Sequence, residues 1–443
     1  MSIQRLATAA VVAILACGPT STPVVSSPSV VSSPSAAPRD LGREVLATND
    51  GWAAATTGTT GGAKADATHV RTVSDRLQLV AALGEPTDPT PKIVYVKGSI
   101  DANVDDANKP LRCEDYATAG YTLEPYLKAY DPATFGRTKR PSGALEDARA
   151  ASQKKQAARV QIKVGPNTTI VGLEGARLVG MNLVVDQVDN VIIRNLTLVD
   201  AYDCFPQWDP TDGSQGNWNS QYDTVSLNGA THVWIDHCAF GDGDHPDAKQ
   251  PTYLGRTYQI HDGALDIAKA ADLVTVSWNR FADHDKVMLI GSSDTSTADA
   301  GKLNVTIHHN VFSRVGQRAP RVRFGKVDVY NNVYDIVAQG YTYSWGVGVE
   351  SKLYAENNVV RLGAGLTPDK FIRAFNGKSI REIGTLVDDG AKKVGASMLA
   401  SYNAATEAKL ADDVGWVPSL RGAVDRTDAV AEIVTKRAGP GGG

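Results

Sequence analysis

The sequence predicts an all-β fold, a right-handed single-stranded parallel β-helix with loop excursions and a few short helices. The first observation is an eight-residue pattern that recurs from Val191 onwards. It reads VIIRNLTL from Val191, VWIDHCAF from Val233, VTVSWNRF from Val274, VTIHHNVF from Val305, VDVYNNVY from Val327 and LYAENNVV from Leu353. The second is the spacing: successive starts lie 42, 41, 31, 22 and 26 residues apart. A base period in the twenties, lengthened by insertions, marks a solenoid. The third is the sixth place of the octet, held by Leu196, Cys238, Asn279, Asn310, Asn332 and Asn358. Stacked Asn side chains hydrogen-bond from turn to turn and tolerate a tight bend. A β-propeller is the rival, but its blades need antiparallel hairpins with closer turn signals.

Taken in order, the chain opens with an export segment at residues 1–17. Arg5 supplies a positive start and Leu6 to Ala16 a short apolar run. Ile14-Leu15-Ala16-Cys17 resembles a bacterial lipobox, which would lipidate Cys17; ordinary cleavage nearby and full secretion is the alternative. Residues 18–45 form a Ser/Pro-rich linker whose composition buries no core. The β-helix domain is expected over residues 46–438 and a flexible glycine tail over 439–443. Within it, Val73 to Leu83 reads as a short helix and Lys92 to Gly98 as a strand. A polar excursion over 104–160 carries a helix from about Gly143 to Ala158. The repeat fades after about Gly363, and residues 401–436 should lie along the outside.

Composition narrows the function. A net charge of −4, from 45 basic and 49 acidic residues, does not suit a nucleic-acid binder, so an anionic ligand must be met locally. No apolar run reaches membrane-spanning length. Of the four cysteines, Cys17 is in the export segment and Cys238 in a strand repeat. That leaves Cys113 and Cys204 as the candidate bridge, although sequence alone does not prove the pairing. None shows zinc-ligand spacing.

Two constellations carry chemistry. Asp223, Asp262 and Asp266 precede consecutive repeat strands, so adjacent coils bring them together. Clustered carboxylates are costly unless a cation neutralises them, and an oxygen-only set favours a hard cation, Ca²⁺ before Zn²⁺. A cationic segment follows, with Lys286 after one octet and Arg314, Arg318, Arg321 and Arg323 after the next. Pro320 and Gly325 argue against a helix there, leaving a strand, a basic loop and a strand. Such a pairing of cation site and cations suits a substrate with repeated carboxylates. By contrast, Asp236 with His237, and His308 with His309, fall in the strand-and-turn repeat and read as structural. The Trp345-Gly346 stretch could stack on sugar rings, a weak indication.

Arg318-Ala-Pro-Arg-Val-Arg-Phe-Gly325 fits the R-x-P-x-x-R-x-G motif, alongside Val233-Trp-Ile-Asp-His237, Asp262-Gly-Ala-Leu-Asp266 and His284-Asp-Lys286. From Gly51 to about Ala438 the chain therefore resembles the family 1 pectate lyases, most like the secreted Bacillus-type enzymes. The resemblance implies a parallel β-helix that cleaves polygalacturonate by β-elimination with Ca²⁺. It implies Asp223, Asp262 and Asp266 as calcium ligands, Arg318 as the base, and Lys286 and Arg323 as binders of substrate carboxylates. It also implies a secreted monomer. A guanidinium is effectively always protonated, and lowering its pKa by roughly 3–4 units costs about 4–5 kcal/mol. Nearby Ca²⁺ and cations should push in that direction, so activity is expected to rise at alkaline pH. A polygalacturonase-type hydrolase would use paired catalytic carboxylates instead. A non-catalytic glycan binder would need no Lys286, Arg318 and Arg323 set, and a pectin lyase would lack the aspartates.

Overall fold

The computed structural model describes Ala13, residues 40–390 and residues 392–442. Apart from Ala13, the expected export segment with Cys17 and the linker up to residue 39 lie outside the described residues. From Asp40 onward the chain is one compact unit. Residues 40–45, assigned to the linker by composition, are strapped onto it: Arg43 donates to Ala63 O, and Glu44 pairs with Arg194 at 2.7 Å.

Each octet supplies the strand its periodicity predicts. Val191, Val233, Val274, Val305, Val327 and Leu353 pair in one continuous parallel register. Their strands belong to a ten-stranded sheet running from Val70–Val73 to Ile380–Ile383. A second ten-stranded sheet collects the strands after each bend. An eight-stranded sheet, from Gln161–Lys163 to Ile372–Phe375, closes the coil. One parallel sheet follows another around each coil, the arrangement of a parallel β-helix. Its interior is filled by strand residues such as Val233, Ile235, Val274, Val276, Val305 and Ile307, all fully buried. Parallel sheets buried in this way read as apolar runs.

The bend is made at the fifth place of the octet rather than the sixth. Asn195, His237, Trp278, His309, Asn331 and Asn357 all have φ between 48° and 56°. Asn tolerates this left-handed conformation best, while His and Trp are held in it by the coils on either side. The sixth-place Asn then turns inward. Asn279 Nδ2 donates to Asn310 Oδ1 at 3.0 Å, Asn310 to Asn332 at 3.0 Å and Asn332 to Asn358 at 3.1 Å. Each Oδ1 also accepts the backbone N–H of the preceding coil's Asn, so the ladder satisfies polar groups that would otherwise be buried unpaired. At the eighth place Phe240, Phe281, Phe312 and Tyr334 stack with centroids 4.7–5.2 Å apart.

The helices flank this core. Arg76–Leu83 is shorter than the predicted 73–83, because Asp75 caps it by accepting from Gln78 N. Ala144–Val160 forms as expected. Cys113 and Cys204 are bridged, tying the excursion to the loop before the site, and Cys238 is buried and free. The repeat does not end near Gly363. Ile372–Phe375, Ile380–Ile383 and Leu386–Asp388 add a further coil to the three sheets. The helix Thr427–Arg437 lies along the outside, where Val430 and Val434 cover Val311, Val333 and Val359. Beyond it, Gly439 and Gly441 donate to Trp278 O and Asn195 Oδ1. No described helix is long and apolar enough to cross a membrane.

Candidate active site

The eight-stranded sheet brings the predicted carboxylates together. Asp223 stands two residues before the strand Val225–Asn228, and Asp266 lies in Leu265–Ala268, in register with Ser226. Asp262 begins the approach to the second strand. Ser226 Oγ and Gly263 N donate to Asp223 at 2.6 and 3.0 Å, and Leu289 N donates to Asp266 Oδ1 at 3.0 Å. Gly263 is required by crowding. A Cβ there would sit 2.3 Å from Asp266 Oδ1 and 2.9 Å from Asp223 Oδ1.

The cations come from the next two coils. Lys286 ends the strand Arg280–Lys286 and bridges Gly263. Its partner in register, Gln317, ends Val311–Gln317, and Arg318 follows in a left-handed conformation with φ 61°. Lys286 Nζ, almost buried, donates to Asp262 Oδ1 at 3.2 Å. The coil stacking thus gathers Asp223, Asp262, Asp266, Lys286 and Arg318 at one place, as the spacing anticipates.

The electrostatics are uneven. Burial, then Asp266 and Asp262, push the Asp223 carboxyl well above the usual range. Burial and Asp262 push Asp266 up to about 6, although Arg318 pulls the other way. Burial also raises Asp262, but Lys286 and Arg318 outweigh it and hold that group low. For Arg318 burial favours the neutral form, yet Asp266 and Asp262 outweigh it and the pKa is raised. Among the described side chains the charges that act most on Arg318 are these two carboxylates, so a lowered pKa would need a cation to offset them. Its buried Nε has no hydrogen-bond partner among the described residues. Three oxygen-only side chains, mutually repelling around a space that only glycine keeps open, fit a hard divalent cation.

Arg323 is placed further along the same sheet. It is engaged by the protein: Nε donates to Asp294 Oδ1 at 2.6 Å and Nη1 to Gly291 O at 3.2 Å. Sequence reasoning gave no role to Arg321, whose guanidinium lies over Phe375 at 3.9 Å with Arg373 5.1 Å from the same ring. Arg321 falls at a variable place of the R-x-P-x-x-R motif, so the motif does not mark it. Trp345 is no sugar platform; it is fully buried and donates to Tyr334 Oη at 3.0 Å. Asp236 accepts from Arg194, His237 and Ser277 within the ten-stranded sheet, as its structural reading requires. His308 and His309 face each other at 2.8 Å, and His309 reaches Asp425.

A parallel β-helix that gathers carboxylates and cations on one sheet offers both a place for a cation and charge to meet an acidic substrate. Residues 140–417 match the family model described as pectate lyase. The chain belongs to the pectate lyase family. It is 51% identical over 408 residues to a pectate lyase of Bacillus subtilis, covering 91% of this chain and 94% of that protein. It is 37% identical to pectate lyase E of Dickeya chrysanthemi over 82% of each chain. Among solved structures it resembles a pectate lyase bound to a hexasaccharide, with 50% identity, a TM-score of 0.86, and coverage of 91% of this chain and all of that one.

Proposed function

We propose that this pectate lyase depends on Ca²⁺ and cleaves α-1,4-linked polygalacturonate by β-elimination, releasing unsaturated oligogalacturonides. The observation that carries the reading is the convergence of Asp223, Asp262 and Asp266 on Lys286 and Arg318. The three aspartates would hold the ion. Bound there, Ca²⁺ would supply positive charge that cancels the carboxylates and steadies the negative charge developing on a uronate carboxylate. Lys286 is assigned to bind and orient that carboxylate, and Arg323 a neighbouring one through the donors that Asp294 leaves. Arg318 is assigned to remove the proton at C5. Asp262 and Asp266 hold its guanidinium protonated, so this role requires their charge to be offset. The Cys113–Cys204 bridge supports action outside the cytosol, where such bonds persist.

The test is to follow the ultraviolet absorbance of the unsaturated product on polygalacturonate, with added Ca²⁺ and with excess chelator. Turnover should need Ca²⁺. Full activity in chelator would overturn the calcium reading, and reducing ends without absorbance would point to hydrolysis.

A further inference from the structure

Beside the acidic cluster lies a buried network that the proposed chemistry does not use. It joins three carboxylates, Asp200, Asp242 and Asp247, to two imidazoles, His261 and His284, all less than a tenth exposed. Ligand atoms of Asp242, Asp247 and His261 lie within 4.8 Å of one another, close enough for a second metal. The hydrogen bonds in place give the cluster another use. His261 Nδ1 faces Asp247 Oδ1 at 3.1 Å and its Nε2 faces Asp200 Oδ1 at 3.3 Å. A carboxylate oxygen facing each nitrogen favours an imidazole that carries hydrogen on both. His284 is held in the same way, with Nδ1 on Asp242 Oδ1 and Nε2 on the Lys286 carbonyl at 3.1 Å.

The network ends on the reacting groups. The Lys286 carbonyl that accepts from His284 also accepts from Ala264 N at 3.1 Å. Ala264 lies between Asp262 and Asp266. One carbonyl therefore ties the strand bearing Lys286 to the stretch bearing two of the three carboxylates. From the other side, Asp247 Oδ1 accepts from Ile260 N at 3.0 Å and His261 N at 3.3 Å, fixing the chain just before Asp262.

We propose that His284, backed by Asp242, is a positioning residue for the lyase reaction: it sets the Lys286 peptide and so the distance of the Lys286 ammonium from Asp262 and Asp266. The inference rests on the reading of those aspartates as a cation site. Partners one shell out from a metal typically change affinity or activity by roughly 10–100-fold.

Two substitutions separate positioning from packing. In His284→Asn the amide nitrogen falls near the Nδ1 place, keeping Asp242 and losing the Lys286 carbonyl. In His284→Gln it falls near the Nε2 place and does the reverse. The readouts are Ca²⁺ affinity by titration calorimetry, kcat and KM on polygalacturonate, and thermal unfolding in chelator. His284→Asn should weaken Ca²⁺ binding and lower kcat/KM about tenfold or more. His284→Gln should recover to within about threefold of wild type while unfolding at a similar temperature. Equal effects of the two, or unchanged Ca²⁺ affinity and kcat/KM in His284→Asn, would overturn the proposal. If His284→Asn does not fold, Asp242→Asn replaces it, with weaker Ca²⁺ binding expected and wild-type binding overturning the inference. A wild-type protein that binds no Ca²⁺ would sink the cation reading instead; the kcat/KM comparison of the two variants would then decide the role of His284 through Lys286 alone.

Discussion

Replacing Asp266 by Asn should stabilise the protein without metal and weaken its hold on Ca²⁺. Asn keeps an oxygen for Leu289 N, so the strand contact survives. What it removes is a charge that burial and Asp262 disfavour, with a pKa raised from 3.8 to about 6. A carboxyl raised in the folded state binds more protons folded than unfolded between those values. Stability therefore falls as pH rises from about 4 to about 6, and the penalty is complete above that. The shift corresponds to about 3 kcal/mol, which partial exposure reduces to about 1–2. Spread over the unfolding entropy of a unit of about 400 residues, this raises the midpoint by about 1–3 °C. With Ca²⁺ at roughly 100 times Kd, wild type gains about 2.7 kcal/mol that the variant largely forgoes, so the order should invert. The assay is thermal unfolding at pH 8 in chelator and in Ca²⁺. A variant that melts below wild type in chelator would refute the claim that these carboxylates repel one another.

Arg318→Lys should lower turnover by at least about a hundredfold while oligogalacturonate still binds, since Lys keeps charge but not the forked geometry; near-normal turnover at alkaline pH would remove Arg318 from the proton-abstracting role. Gly263→Ala should weaken Ca²⁺ binding more than folding, because its Cβ would press on Asp266 Oδ1 and Asp223 Oδ1; calorimetry showing wild-type Kd would contradict the crowding argument.

The coils were legible because one octet carries three separate requirements: apolar residues for the strand, a bend, and an inward Asn. Where a coil meets them differently, the pattern disappears. The coil after Gly363 places Thr385 opposite Asn358, so it lacks the mark by which its predecessors are recognised, although Ile380 still pairs with Leu353. The aspartates and Lys286 were legible because they stand close before or after the strands of adjacent repeats. His284 and its partners were not: Asp200 and Asp242 follow their octets by the same two residues, but Asp247 and His261 come from the insertion before the next octet, and no repeat position shows that these groups meet. The engagement of Arg323 by Asp294 was hidden for the same reason. Trp345 misled because an aromatic next to glycine resembles a loop, whereas the register with Ile372 puts it inside a strand.

The unequal intervals of the repeat have a consequence for how such a molecule can change. Between 22 and 42 residues separate successive octets, yet every octet is locked to the next through the same paired positions. The axial advance per coil is one strand spacing, about 4.8 Å, whatever the length of chain in between. The coil thus behaves as a ruler whose graduations are indifferent to what hangs from them. Side loops can lengthen, shrink or be exchanged without moving the groups mounted on neighbouring rungs. Variation in the side loops is thereby uncoupled from the spacing of the charges carried by the rungs.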